Sequence, residues 1–169
     1  MFKKILYLVF ILIFFFQCKL DKVDEKELLE AYTASGTRQP YILKKLIIEN
    51  CDTIAYLELK KAYRYTTYKG AVLYYSLFMA NNCNYAPAYL DVYYEIKHND
   101  ISKLNEGSKT LMINYLKKGA ELGNRKSQYE LGRLYKEGEY LPKNEELGNK
   151  LIMLGDSLKK DDPEFEWWY

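Results

Sequence analysis

The sequence predicts an all-α protein, an α-solenoid of about three to four antiparallel helix hairpins. Three observations predict it. First, apolar or small residues recur at i, i+4, i+7 and i+8 in segment after segment, the spacing of one buried stripe on a helix. Second, three of these segments match one another: Ala55, Leu59, Ala62 and Tyr63; Ala86, Leu90, Tyr93 and Tyr94; Ser127, Leu131, Leu134 and Tyr135. Third, the partner helices keep their length while the loops inside the hairpins do not. Twelve residues separate Ala71 from Cys83 and Leu111 from Gly123, whereas 8, 17 and 12 residues separate Tyr63 from Ala71, Tyr94 from Leu111 and Tyr135 from Leu147. Insertions confined to one side of constant helices are what a stack of repeats tolerates.

At the start of the chain, Lys3 and Lys4 precede an apolar run from Ile5 to Phe16, and polarity then returns. A spanning helix needs about 20 apolar residues, so the run has the layout of a secretory signal, with an uncleaved anchor as the alternative. Phe14, Phe15, Phe16 and Gln17 offer no small residue to a standard signal peptidase. The charged start, the short apolar run and Cys18, followed by the polar stretch Lys19 to Glu27, resemble the export signal of bacterial lipoproteins. That resemblance implies acylation of Cys18 and a chain held at a membrane of the cell envelope by lipid. Gln17 stands where that family prefers a small residue. The expected layout is a signal over 1–18, a linker over 19–25, a helical-repeat domain over 26–160 and an acidic aromatic tail over 161–169.

Loss of Lys3 and Lys4 with the signal leaves 23 basic residues against 23 acidic ones. A chain that bound nucleic acid by neutralising phosphates would carry a basic surplus along one face, so nucleic acid is not an expected partner.

Within the body, Glu25 to Thr33 and Tyr41 to Glu49 form a shorter hairpin around Ser35 to Pro40, read as a cap or a degenerate repeat. The partner stripes are Ala71, Tyr75, Phe78 and Met79; Leu111, Tyr115, Lys118 and Gly119; Leu147, Leu151, Leu154 and Gly155. Asp52, Asn84, Asn124 and Asn144 stand where a side-chain oxygen would cap a helix start, and Pro87 falls in a first turn, where its missing N–H costs little.

The unit from Tyr115 to Gly138 resembles the Sel-one-like repeat of the tetratricopeptide-type solenoids. Leu131-Gly132, Tyr135, Gly138 and the Ala120 to Gly123 exit carry that resemblance. Lys60 and Asp91 stand in the place of Gly132 in the other units, and Thr66 and Lys97 in that of Gly138. The resemblance covers residues 115 to 160 and implies a right-handed superhelix whose concave face engages other proteins.

Cys51 and Cys83 occupy the same turn in successive units, and an oxidising compartment would invite a disulfide between them. Stacked repeats place equivalent positions about 8 to 10 Å apart, and a disulfide tolerates Cα separations up to about 7 Å. The spacing thus argues against the bond and for two small residues in tight turns.

Of the 18 tyrosines, those on the stripes (Tyr63, Tyr75, Tyr94, Tyr115, Tyr135) are expected in the packing. Tyr65, Tyr68, Tyr74 and Tyr89 lie off them and are candidate partner-binding residues, because tyrosine joins a large rigid contact area to a polar tip. The tail from Asp161 to Tyr169 holds both tryptophans, Trp167 and Trp168, beside four carboxylates. It either folds back over the open end of the stack or inserts into a partner.

Enzyme chemistry finds little support. His98 is the one histidine, in the polar stretch Lys97 to Asp100, and the sequence carries no phosphate loop, nucleophile elbow or metal-spaced cluster. Glu58, Asp91 and Glu95 are read as solvated carboxylates. No cofactor, metal or small-molecule substrate is expected. The leading expectation is a non-enzymatic adaptor that binds a protein partner, and the alternative is an immunity protein that neutralises a toxin in the same compartment.

Overall fold

The computed structural model describes residues 38–63, 69–98 and 105–156. They form seven helices and, among the described residues, no strand: α1 (Pro40–Asn50), α2 (Thr53–Tyr63), α3 (Lys69–Asn81), α4 (Ala86–His98), α5 (Glu106–Glu121), α6 (Arg125–Glu137) and α7 (Glu145–Asp156). The all-α expectation holds for these segments. Each helix packs on the next in chain order, and α1 also meets α3 as α4 meets α6. None of them is long and apolar enough to cross a membrane.

Local chemistry sets most of the boundaries. Asp52 Oδ1 accepts from the Ala55 N–H at 2.9 Å, Asn124 Oδ1 from Ser127 N–H at 2.8 Å and Asn144 Oδ1 from Leu147 N–H at 3.0 Å, so three of the four expected caps form. Asn84 does not cap. Its backbone is left-handed, with φ of 50°, and its side chain accepts from the Tyr89 hydroxyl at 3.2 Å. Asn105, which the pattern did not single out, caps α5 through Ser108 N–H at 2.8 Å. Gly138, with φ of 72°, closes α6, a conformation that costs glycine no steric penalty.

The stripes bury largely as the spacing predicts. Ala55, Leu59, Ala62 and Tyr63 of α2 and Leu90 and Tyr93 of α4 lie in the core, while the α6 stripe buries Ser127, Leu131 and Leu134. Three expected stripe residues are exposed instead, Leu111 at 48%, Leu154 at 48% and Lys118. In α5 the buried face has rotated to Met112, Ile113, Leu116, Gly119 and Ala120, because the stripe was phased on Leu111, at the solvent edge. Among the described residues, α7 has one substantial helix neighbour, α6.

Helices α6 and α7 meet backbone to backbone at their glycines. A Cβ on Gly132 would lie 2.7 Å from the Gly148 carbonyl oxygen, and one on Gly155 would lie 2.6 Å from that of Arg125. Only hydrogen at these positions lets the two backbones meet.

Cys51 and Cys83 form a disulfide across a Cα separation of 5.6 Å. The expectation against this bond is overturned. It measured the distance between helix axes, but facing residues sit inside that spacing: about 9 Å between axes, less a Cα radius of about 2.3 Å on each side, leaves about 4.4 Å. The bond ties the turn after α1 to the turn after α3.

Candidate functional site

Among the described residues, charge is buried only where it is paired. In the first cluster Tyr56 is fully buried and its hydroxyl donates to Asp91 Oδ2 at 2.7 Å. Because that uses its one proton, Ser76, also fully buried, donates to the Tyr56 oxygen at 2.8 Å. Lys60 Nζ then reaches Asp91 Oδ1 at 2.6 Å from four residues along α2, its charge 5.5 Å from the centroid of the Tyr56 ring. Asp91 is 3% exposed, so the reading of it as a solvated carboxylate is corrected.

The second cluster repeats the chemistry one helix pair further on. Tyr93 of α4 donates to Glu130 Oε1 at 3.0 Å, and Lys97, again four residues along, donates to the Tyr93 oxygen at 3.0 Å and lies 3.4 Å from Glu130. Arg133 adds a forked contact, Nε to Oε2 at 3.2 Å and Nη2 to Oε1 at 3.0 Å. Arg133 also pairs with Glu137. Together the clusters link α2 to α4 and α4 to α6 through groups that a low-dielectric interior would otherwise expel.

Electrostatics follow from this pairing. Burial and then the Asp91 charge push the Tyr56 phenol well above its ordinary value, and burial with the Glu130 charge does the same to Tyr93. Burial alone would raise the Glu130 carboxyl. The hydrogen bonds and charge of Arg133, aided by Tyr93 and Lys97, outweigh it and hold the group below the usual carboxylate range. Glu58 behaves likewise: burial raises it, the Arg38 contacts at 3.0 and 3.1 Å lower it, and lowering wins. Such clusters stabilise; neither presents an unpaired nucleophile or base.

The candidate partner-binding residues separate. Tyr74 is 58% exposed on α3, with its ring edge-on to Tyr75 at a centroid distance of 5.0 Å. Burial pushes the half-buried Tyr75 phenol up to about 12. Tyr89 is buried, its hydroxyl on Asn84 and its ring 5.9 Å from that of Tyr115, so it offers little contact surface and is corrected to a packing residue. Helix α4 turns this face toward α5, which an off-stripe position alone does not reveal. Tyr65, Tyr68, Trp167, Trp168 and the lipidation candidate Cys18 lie outside the described residues. His98 ends α4 and stacks on Tyr94 at 5.8 Å.

A cleft of about 420 Å³ lies between α5 and the loop joining α6 to α7, with Ile113, Tyr140 and Leu141 as its apolar part and Lys109, Asn114 and Lys117 among its polar part. Tyr140 holds a left-handed backbone with φ of 60°, uncommon for an aromatic residue. Among the described residues no group of three or more His, Cys, Asp or Glu side chains is arranged to hold a metal.

No protein family matches the chain, and no curated protein or solved structure matches it either. Its chemistry is therefore argued from its own residues. Among the described residues the exposed large apolar side chains are Tyr41, Ile48, Ile54 and Tyr74 from α1 to α3, Leu111 from α5, and Tyr129, Met153 and Leu154 from α6 and α7. Sequence reasoning missed the two buried clusters. Their signal was present, a tyrosine and a lysine four residues apart on a buried stripe, Tyr56 with Lys60 and Tyr93 with Lys97.

Proposed function

We propose that the protein is a non-enzymatic adaptor of the bacterial cell envelope, a right-handed α-solenoid of the Sel-one-like type that binds a protein partner through its exposed aromatic surface. The observation that carries the binding reading is the Tyr74–Tyr75 pair. Tyr74 stands in solvent with its ring braced against Tyr75. A braced aromatic ring loses little rotamer freedom on binding and adds a large contact area, the profile of an interface anchor.

Three features support the architecture. Consecutive helices pack in chain order, the disulfide joins equivalent turns of successive units, and the two Tyr–Lys–carboxylate clusters repeat from α2 to α4 and from α4 to α6. The disulfide also supports export, since such bonds persist in oxidising compartments and are rare in the cytosol. Lipid on Cys18 would then hold the chain at the membrane, and each buried methylene contributes about 0.8 kcal/mol to that anchoring.

Affinity capture from detergent-solubilised envelopes, using the full chain beside a Tyr74→Glu variant, tests this reading. A partner retained by the unaltered chain and lost with the variant is the expected result. Recovery of no protein, together with hydrolysis of a small substrate by the purified chain, would replace the adaptor with an enzyme.

A further inference from the structure

The cleft between α5 and the loop joining α6 to α7 has a wall that the fold itself holds in place. Gly138 and Glu139 donate their N–H groups to the Leu134 carbonyl at 2.9 and 3.2 Å, Asn144 donates to the Tyr135 carbonyl at 2.8 Å, and Arg133 reaches Glu139 at 3.5 Å. Between these anchors Tyr140 keeps its left-handed backbone. Such a conformation persists where the surroundings enforce it, and it clusters at ligand clamps. Tyr140 and Leu141 then line, with Ile113, the space of about 420 Å³, a volume in the range of ligand pockets.

The other wall is α5. Lys109, Thr110, Ile113, Asn114 and Lys117 recur at steps of three and four residues or their neighbours, so they share one face of the helix. Lys109 is already neutralised by Glu106 at 2.7 Å. Lys117 is not: it is half-buried, and among the described residues no carboxylate pairs with it. The side chains of Thr110 and Asn114, both exposed, likewise have no hydrogen-bond partner among the described residues. An apolar patch, two hydrogen-bonding side chains and one uncompensated cation thus line the same space.

We propose that this cleft binds an extended peptide segment of a protein partner, about four residues long, with a large apolar side chain on Ile113, Tyr140 and Leu141 and a carboxylate side chain on Lys117. Length follows from the helix. Lys109 and Lys117 stand about 12 Å apart along α5 at 1.5 Å per residue, and an extended chain rises about 3.3 Å per residue. Charge follows from Lys117, whose ammonium is the one on this face without a carboxylate. A peptide also brings backbone N–H and C=O groups in a row, which Thr110 and Asn114 can meet. The inference goes beyond the reading built on Tyr74, which does not line this cleft. Either can fail while the other stands.

Amide chemical shifts of the isotope-labelled full chain, titrated with capped tetrapeptides that carry one phenylalanine and one glutamate in each order and spacing, test the proposal. Saturable shifts are expected at Thr110, Asn114, Lys117, Tyr140 and Leu141. Replacing the peptide's glutamate with glutamine should weaken binding about three- to tenfold, the effect of losing a half-buried charged contact. Lys117→Glu should transfer the preference to the peptide with lysine in that place, an exchange that a misfolded variant cannot produce. Absence of saturable shifts at these residues, or equal binding of the glutamate and glutamine peptides, would overturn the proposal. Phenylbutyrate bound as tightly as the peptide would overturn it too, making the occupant a small carboxylic acid. So would concentration-dependent shifts of the same residues without peptide, which would make it a second copy of the chain.

Discussion

Gly132 on α6 and Gly148 on α7 face each other so closely that a Cβ on either would press on the other's carbonyl oxygen, at 2.7 Å and 2.8 Å respectively. Backbone cannot swing aside as a long side chain can, so the contact admits hydrogen alone.

Gly132→Ala is therefore expected to destabilise the fold. Alanine would gain about 1 kcal/mol of helix propensity, but forcing a methyl group against packed backbone costs about 1–3 kcal/mol or more. Gly70 has nothing within 4 Å of its missing Cβ, so Gly70→Ala is expected to leave stability unchanged or raise it. Thermal unfolding of the two variants beside the unaltered chain checks the sign of each.

Reducing the Cys51–Cys83 bond, or replacing both residues with serine, should lower stability by about 3–4 kcal/mol, the chain-entropy value for closing a loop of this length. The sequence separation of 32 sets that loop. Urea unfolding with and without reductant measures it, and an unchanged midpoint would show that the bond adds nothing.

Asp91→Ala should cost more than Tyr56→Phe. The first leaves a buried hydroxyl and the Lys60 ammonium without their shared carboxylate, a loss of about 3–5 kcal/mol. The second removes a charge-assisted hydrogen bond worth about 1.5–3 kcal/mol. Chemical denaturation of both variants ranks them.

Glu130 makes the fold sensitive to acid. Its carboxyl is held below the ordinary value of 4.5, chiefly because the Arg133 contacts outweigh the burial that raises it. A group lowered in the folded state adds stability above its unfolded pKa and loses that contribution as pH falls through the folded one. Melting temperature should thus fall as the pH drops below about 4.5, and Glu130→Gln should flatten that limb while lowering stability near neutrality by about 1–3 kcal/mol. Glu58 contributes in the same direction and remains in the variant.

Period and punctuation made the helices legible before any coordinates. The stripe Ala55, Leu59, Ala62 and Tyr63 is buried as its spacing predicts, and Asp52, Asn124 and Asn144 cap as their positions predict. Both are local properties, set by 3.6 residues per turn and by the free N–H groups of a first turn. What was not legible depends on how helices meet. The Cys51–Cys83 bond and the burial of Asp91 require residues 32 and 35 positions apart to converge, and no helical period encodes that. Tyr89 shows the same limit on one helix: its place off the stripe said nothing of α5 packing over it.

The central claim, that the exposed aromatic surface engages a protein, is tested most directly by placing a photo-crosslinking residue at Tyr74, and separately at buried Tyr89, in the full chain in the host envelope. A discrete adduct with one partner is expected from position 74 and none from 89. Absence of any adduct from position 74, and from exposed Tyr41 and Ile54 as well, would contradict it.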